Sequence, residues 1–203
     1  QAGDGYILIE YGDTVLDLAL RLRLYLLMKA IREAAEPGIE ELSPGVRSLQ
    51  IRYDSRVIHQ SRLLQHLLTL EHDLADVSQL KIPTRIVHMP MAFEDSATLG
   101  AVERYQQTVR AEAPWLPNNV DFIQRTNGLA SRQEVKDIIF NASYLILGLG
   151  DVYLGAPCAV PIDPRHRLLS SKYNPARTYT AEGTVGIGGM YMCIYGMDSP
   201  GGL

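Results

Sequence analysis

The chain has 203 residues, of which 46% are hydrophobic and 21% are charged, and this composition is typical of a globular protein with one large domain or two small ones. Its net charge of −4 excludes the basic field that would attract nucleic acid or an anionic membrane surface. The longest apolar run, within residues 15–31, is interrupted by basic side chains and does not predict a membrane span. The N-terminus lacks the basic start and apolar core of a secretory signal.

The first part of the chain alternates between strand and helix patterns. Period-two alternation, helical spacing and turn residues predict the order β-α-β-β-α-β, with strands at 6–11, 39–42, 48–53 and 81–89 and helices at 15–35 and 61–74. This order is that of a ferredoxin-like split βαβ unit. We therefore predict an N-terminal ferredoxin-like α/β domain at residues 1–80, with the change of domain between 80 and 95.

The second part of the chain changes from helix to strand. Residues 96–113 predict a helix that "PWLPNN" interrupts, and Ser131 predicts the cap of a further helix at 132–140. From Tyr144 onward, glycine, proline and short strand-forming runs predict a β-barrel or a β-sandwich. The predicted second domain is residues 81–203, with 96–140 as a helical insertion, and the predicted fold class is α+β.

The stretch "GTVGIGGMYMCIYGMDSPGG", residues 183–202, is rich in glycine. It is not a dinucleotide loop, because the third glycine of GxGxxG is missing and strand formers follow instead of a helix N-terminus. The chain has no GxxxxGK[ST] motif either. The stretch predicts two strands joined by a tight glycine turn.

Histidines and cysteines give no strong signal of a site. His59, His66 and His72 fall on or beside the second predicted helix, but no carboxylate or cysteine completes a metal site with them, so we interpret them as solvated side chains. Cys158 and Cys193 do not make a disulfide framework and suit a reducing cytoplasm. Because neither has an activating partner nearby in sequence, we interpret both as buried strand residues.

The last third of the chain concentrates polar side chains between glycines and prolines. "LGLGDVYLGAP" contains Asp151 and Tyr153. The segment 163–182, which Pro164 and Pro175 restrict, contains Asp163, Arg165, His166, Arg167, Lys172, Tyr173, Asn174, Arg177 and Glu182. A proline-restricted loop of hydrogen-bond donors on a β scaffold is a typical ligand site. Taken alone, the residues are equally consistent with a solvated loop that contains salt bridges.

The motifs resemble a known family. "PMAFEDSATLGAVERY", "APWLPNNVDFI" and the whole run from "LGLGDVYLGAP" to "DSPGG" are similar to the carboxyltransferase domain of biotin-dependent urea carboxylases, in the portion called allophanate hydrolase subunit 1 or KipI-like. The resemblance covers essentially the whole chain, and the last sixty residues are the most specific. The KipI-like family in general has "GFxPGFxYL" where this chain has residues 147–154, a difference that favours the urea carboxylase branch over the bacterial 5-oxoprolinase subunit.

This resemblance implies a cyclophilin-like β-barrel after the α/β domain. It also implies that the chain is part of a longer multidomain enzyme, since "SPGG" is normally followed by an aromatic residue, Gln and a Gly-Arg-Thr segment. We therefore expect the barrel to be incomplete at its C-terminus, with the next strand pairing with "MYMCIY", residues 190–195.

The implied activity is transfer of a carboxyl group from N-carboxybiotin to urea, which gives allophanate. The alternatives are a guanidine carboxylase with the same mechanism and a non-enzymatic KipI-like module that inhibits a kinase. The transfer requires fixed donors toward the ureido oxygen of biotin, together with orientation and a base for the nitrogen that is carboxylated. The implied catalytic residues are Arg177, Asp151 and Lys172, and the implied substrate- and biotin-binding residues are Tyr153, Tyr173, Asn174, Glu182, Gly188 and Gly189.

The resemblance also implies partners. The chain has no biotinylation motif and no ATP-binding apparatus, so biotin is expected on a separate carrier domain and ATP is expected to be used by another domain. The expected partners are the second half of the carboxyltransferase, which is allophanate hydrolase subunit 2-like, and the biotin carboxylase and carrier domains. We expect no metal, no nucleic acid, no membrane contact and a cytoplasmic location. The chain alone is expected to be inactive.

Overall fold

The chain divides into two compact units, Gln1–Val87 and His88–Leu203. The computed structural model of the protein describes residues 3–149 and 157–201. Each unit contains helices and its own antiparallel sheet, so the α+β class is confirmed. None of the helices in the described ranges is both long enough and apolar enough to cross a membrane.

The first unit contains a split βαβ arrangement. Its strands are β1 (Tyr6–Glu10), β2 (Ile39–Pro44) and β3 (Ser48–Tyr53), and its helices are α1 (Leu18–Ala34) and α2 (Gln60–His72). The sheet order is β1-β3-β2, so β3 lies between β1 and β2 and is antiparallel to both. The predicted order of elements is therefore found as far as α2.

The core of this unit follows from the alternation in β3. Leu49, Ile51 and Tyr53 occupy every second position and are buried, while the residues between them are exposed. They form one hydrophobic cluster with the apolar side of α1 and with Leu63 and Leu67 of α2. Burial of these faces is what turns the periodic sequence into a packed sheet and two helices.

The predicted strand at 81–89 is wrong. Residues 81–92 have no regular secondary structure, and within the described residues the first sheet has three strands. Pro83 and Pro90 explain the difference, because proline has no backbone N–H to donate to a ladder. The fourth strand of a ferredoxin-like sheet is therefore not found at these positions.

The second unit begins with three helices and continues with strands. The helices are α3 (Ser96–Thr108), α4 (Asn119–Thr126) and α5 (Arg132–Asn141). The strands are β4 (Tyr144–Leu149), β5 (Pro157–Pro161), β6 (Val185–Gly188) and β7 (Tyr191–Ile194). Helix α4 was not predicted from the sequence; the Asn118 side chain begins it by accepting hydrogen bonds from the backbone of Val120 and Asp121.

The second sheet is open as far as the described residues show. Its order is β4-β5-β7-β6 with antiparallel neighbours, so β4 and β6 are the edges and no barrel closure is seen in the described ranges. Strand β7 has neighbours on both sides. The expectation that a following strand pairs with residues 190–195 is therefore wrong, because both edges of that strand are already occupied.

The glycine stretch forms the predicted strand pair. Gly188 lies opposite Tyr191, so β6 and β7 are joined by a loop of two residues. The favoured two-residue hairpin turns require a positive φ at the first loop residue. That residue is Gly189, whose φ is +62°, a value that glycine adopts without steric cost. This turn forms part of the candidate site described below.

Two adjacent leucines of α2 test the core of the first unit. Leu63 is fully buried, whereas Leu64 is 42% exposed. We expect Leu63→Ala to lower the free energy of unfolding by about 2–5 kcal/mol, because it leaves a cavity in the core. The control Leu64→Ala, with the same change in helix composition, should cost less than about 1 kcal/mol. Urea denaturation followed by circular dichroism measures both, and equal losses would contradict the core assignment.

Candidate functional site

The residues 170–182, here called the donor segment, are held at both ends by backbone hydrogen bonds. At one end Ser170 pairs with Gly189 of the β6–β7 turn, through bonds of 2.8 and 2.9 Å. At the other end Thr180 pairs with Ser199, and the backbone N–H of Gly201 donates to the carbonyl of Arg177 at 2.7 Å. The segment between these pairs contains four of the predicted site residues.

Lys172 and Gly188 come together in the structure. A β-carbon placed on Gly188 would lie 3.5 Å from Cε of Lys172, so the lysine side chain passes directly over this glycine. Lys172 is otherwise exposed to solvent. The absence of a side chain at Gly188 thus gives the lysine a flat surface beside the turn at Gly189.

Tyr173 and Arg177 form the buried part of the donor segment. The guanidinium carbon of Arg177 lies 4.9 Å from the centre of the Tyr173 ring, within the range of a cation–π contact. Only 4% of Tyr173 and 2% of Arg177 are exposed. The Tyr173 hydroxyl donates a hydrogen bond of 2.5 Å to Oδ1 of Asn119, which fixes the ring against helix α4.

Two further aromatic rings hold Tyr173 in place. The Trp115 ring stacks on it at 5.2 Å with an interplanar angle of 25°, and the Tyr105 ring meets it edge-on at 4.7 Å. The Tyr105 hydroxyl donates to the backbone carbonyl of Pro175 at 2.8 Å. Helix α3 and the chain before α4 therefore position the donor segment through side chains that the sequence analysis did not assign to the site.

A second arginine supports the same segment from the surface. The guanidinium carbon of Arg110 lies 5.6 Å from the Trp115 ring centre, and Arg110 donates a hydrogen bond of 3.0 Å to the carbonyl of Asn174. The Asn174 residue itself is exposed. The one sequence signal for these supports was the motif "APWLPNNVDFI", which marked the region without indicating what its tryptophan does.

The buried guanidinium of Arg177 has no hydrogen-bond acceptor among the described residues. This holds for all three nitrogens, Nε, Nη1 and Nη2. Burial lowers the pKa of this guanidinium, while the neighbouring Tyr173 and Tyr195 act in the opposite direction. Buried polar groups are nearly always paired, and leaving a buried cation unpaired is costly. The arrangement is therefore suited to receive an acceptor from outside the described residues.

Burial also raises the pKa of the Tyr173 hydroxyl, against the opposing effect of Arg177 and of the hydrogen bond to Asn119. Tyr173 is thus neutral over the ordinary pH range, and its ring offers the arginine a face without a negative charge. The nitrogens of Arg177 have no hydrogen-bond acceptor in the part of the chain that the structure describes.

The remaining predicted site residues lie apart from this cluster or outside the described residues. Glu182 is exposed and lines a cavity of about 330 Å³ between the helices of the second unit and residues 181–187; Lys172 and Arg177 do not line it. Asp151 and Tyr153 fall within 150–156, outside the described residues. No cluster of three or more potential metal ligands occurs in the described ranges.

The start of the polar stretch, at Asp163 and Arg165, is solvated. Asp163 and Arg165 form an exposed ion pair, and hydrogen bonds from Arg165 hold the pKa of the Asp163 carboxyl well below its usual value. The aspartate also caps the short 3₁₀ turn at Pro164–His166. Here the solvated alternative from the sequence applies, whereas residues 172–177 are organised around a buried cation.

A buried cation against an aromatic ring, on a segment fixed to a β-turn, is a candidate for binding an acceptor. Comparison with known proteins identifies the family. The carboxyltransferase domain family, subdomain C and D, matches residues 1–203. The chain therefore belongs to this family of carboxyltransferase domains.

Several named relatives are similar to this chain over its full length. It is 54% identical over 202 residues to urea amidolyase of Saccharomyces cerevisiae and 38% identical over 213 residues to a putative urea carboxylase of Emericella nidulans. These alignments cover 100% of this chain but 11% and 17% of the relatives. The crystal structure of Kluyveromyces lactis urea carboxylase superimposes with a TM-score of 0.82 at 51% identity, over 100% of this chain and 18% of that one.

The Arg177 guanidinium, which has no acceptor among the residues that the structure describes, leads to a stability prediction. Replacing a buried ion pair or triad by apolar side chains of similar volume is often neutral or stabilising by about 1–4 kcal/mol, and a cation without an acceptor among the described residues gives up no ion pair there when it is replaced. We expect Arg177→Met to raise the free energy of unfolding by this amount in ligand-free protein, as measured by urea denaturation. The control Arg110→Met, at an exposed arginine with a hydrogen bond and a ring contact, should lower it slightly. A loss of about 3–5 kcal/mol for Arg177→Met would show that the arginine has a structural partner.

Proposed function

We propose that this chain forms part of the carboxyltransferase component of a biotin-dependent urea carboxylase, which transfers a carboxyl group from N-carboxybiotin to urea to give allophanate. Relatives named for urea amidolyase and urea carboxylase, aligned over the whole chain, support this reaction. The observation that carries the proposal is the Arg177 guanidinium, which is buried against Tyr173 with three nitrogens that lack an acceptor among the described residues.

The donors in the described residues fit a ureido group. A ureido oxygen is a hydrogen-bond acceptor. The Arg177 nitrogens, which have no acceptor among the described residues, and the exposed Lys172 ammonium are donors on the same donor segment. Biotin, bound on a carrier domain, would supply the carboxyl group on a ureido nitrogen. Arg177 and Lys172 would hold it, and ATP would be used by a different domain.

The role of this chain's residues follows from how firmly they are fixed. Arg177 is restrained by the Tyr173 ring and by the backbone bond from Gly201, so its N–H groups need little reorganisation to stabilise negative charge. Its burial excludes water, which strengthens each hydrogen bond that it makes. Lys172, over Gly188, adds a movable cation at the surface of the same site.

Substrate binding completes the proposed site. Asp151 is proposed to accept the N–H of urea, and Tyr153, Asn174, Glu182 and the Gly188–Gly189 turn to line the substrate and biotin sites. Tyr173 is proposed to act through its ring, because its hydroxyl is already bonded to Asn119.

The relatives favour urea over the alternatives. Their names refer to urea, which supports urea as the substrate ahead of guanidine, and to an enzyme, which supports catalysis over a KipI-like kinase-inhibiting module. Because the chain spans about a tenth of the length of the S. cerevisiae relative, we also propose that it works with a second carboxyltransferase half and with biotin carboxylase and carrier domains. The proposed location is the cytoplasm.

The two compact units are proposed to correspond to the two predicted domains, 1–80 and 81–203. The split order β1-β3-β2 supports a ferredoxin-like N-terminal domain. The antiparallel sheet of β4–β7, preceded by helices within 96–140, supports a cyclophilin-like second domain with a helical insertion.

Substitution at the donor site tests the proposal. In the intact enzyme, Arg177→Ala and Asp151→Ala should each lower carboxyl transfer about 10²–10³-fold, because each removes a fixed contact to the reacting groups. Biotin carboxylation, assayed separately through ATP hydrolysis, should stay unchanged. Steady-state kinetics with urea and with guanidine gives the substrate preference.

The matched control is Arg165→Ala, which removes an exposed cation from the solvated start of the same polar stretch. It should leave carboxyl transfer within a fewfold of the unmodified enzyme. The site assignment is wrong if Arg177→Ala and Asp151→Ala also stay within a fewfold while the protein remains folded.

A further inference from the structure

Two cysteines of the second unit lie directly opposite each other on neighbouring strands. Cys158 of β5 and Cys193 of β7 are Cα partners in the antiparallel register, and both are partly exposed. Directly opposed residues of antiparallel strands have Cα atoms about 4.5 or 5.5 Å apart, depending on the position in the ladder. Both separations fall within the range of about 4.4–6.8 Å that a disulfide requires. The sequence analysis had interpreted these cysteines as buried strand residues; both do lie in strands, but they are only partly buried.

The pairing that contains these cysteines is short. β5 and β7 are partners at two positions, Cys158–Cys193 and Ala159–Met192, whereas β4 and β5 are partners at five. This pairing joins the β4–β5 pair to the β6–β7 pair within one sheet. A covalent bond here would therefore fix the join between the two strand pairs, one of which includes the turn beside the donor segment.

We propose that Cys158 and Cys193 are a redox modification site, at which a peroxide closes a cross-strand disulfide and a small thiol such as glutathione reopens it. In a reducing compartment the dithiol is the resting form, and the disulfide forms under oxidant exposure. The partial exposure of both residues gives the oxidant and the thiol access to sulfur.

The oxidation balances with hydrogen peroxide as the only co-reactant. One thiolate attacks a peroxide oxygen and breaks the O–O bond, which gives a sulfenic acid and one water. The opposing thiolate attacks the sulfenic sulfur, forming the S–S bond and releasing the second water. Two thiols lose two electrons and two protons, and one peroxide becomes two waters. Two glutathione thiols reverse the change and become glutathione disulfide.

The test is peptide mapping of the folded, intact protein before and after treatment with hydrogen peroxide. Without oxidant, both cysteines should be alkylated on separate peptides. After oxidation, a peptide pair that joins Cys158 to Cys193 should appear, and dithiothreitol should remove it. Recovery of both cysteines as separate alkylated peptides after oxidation would overturn the proposal. This experiment uses the unmodified protein, so its result does not depend on the folding of a variant.

Single serine variants provide the matched comparison. In Cys158→Ser and Cys193→Ser the remaining sulfenic acid has no opposing thiol, so trapping by dimedone should be about tenfold or more above that of the unmodified protein. Equal dimedone labelling in the unmodified protein and in both variants would show that the two thiols do not react with each other. Circular dichroism confirms that each variant is folded before labelling.

Discussion

The buried contact between the Arg177 cation and the Tyr173 ring is the interaction on which the second unit's candidate site depends. Arg177 is 2% exposed and lacks an acceptor among the described residues. The position of its guanidinium therefore depends on the Tyr173 ring and on the residues that pack around that ring. Trp115 stacks on that ring, Tyr105 meets its edge and Asn119 accepts its hydroxyl. The donor segment is thus positioned by helix α3, the start of α4 and the chain between them, all of which lie 54 or more residues before Tyr173 in the sequence.

The β elements contribute in a different way. They hold the ends of the donor segment by backbone bonds, at Ser170 with Gly189 and at Thr180 with Ser199. Such bonds do not depend on which side chains face solvent, so Lys172 can remain exposed while Arg177 is buried five residues later. One short segment therefore presents two cations in two different environments, a solvated one and a water-excluded one, where the same charge has very different electrostatic strength.

Local patterns in the sequence were sufficient for much of this fold. The alternation in β3, the Ser131 cap of α5 and the Gly189 turn each follow from the chemistry of a few adjacent residues, and each was predicted. Helix α4 was missed because the prolines of "PWLPNN" obscured the cap at Asn118. The interior position of β7 and the burial of Arg177 were not predictable in this way, since both result from contacts between residues far apart in the chain. The resemblance marked the region of the site, but the roles of its supporting rings required the structure.

The energetic cost of a buried cation that has no acceptor among the described residues favours the binding of an acceptor. A buried guanidinium without acceptors is unfavourable by about 1–3 kcal/mol or more, and a hydrogen bond to a charged group contributes about 1.5–3 kcal/mol when it forms. As far as the described residues show, Arg177 is therefore in a state that any well-placed acceptor stabilises. An acceptor that gains negative charge during a reaction improves it most, because the donors are already fixed and water is already excluded. The aromatic rings around Tyr173 allow this arrangement, because they hold the Arg177 side chain in place without neutralising its charge. A carboxylate partner would neutralise it.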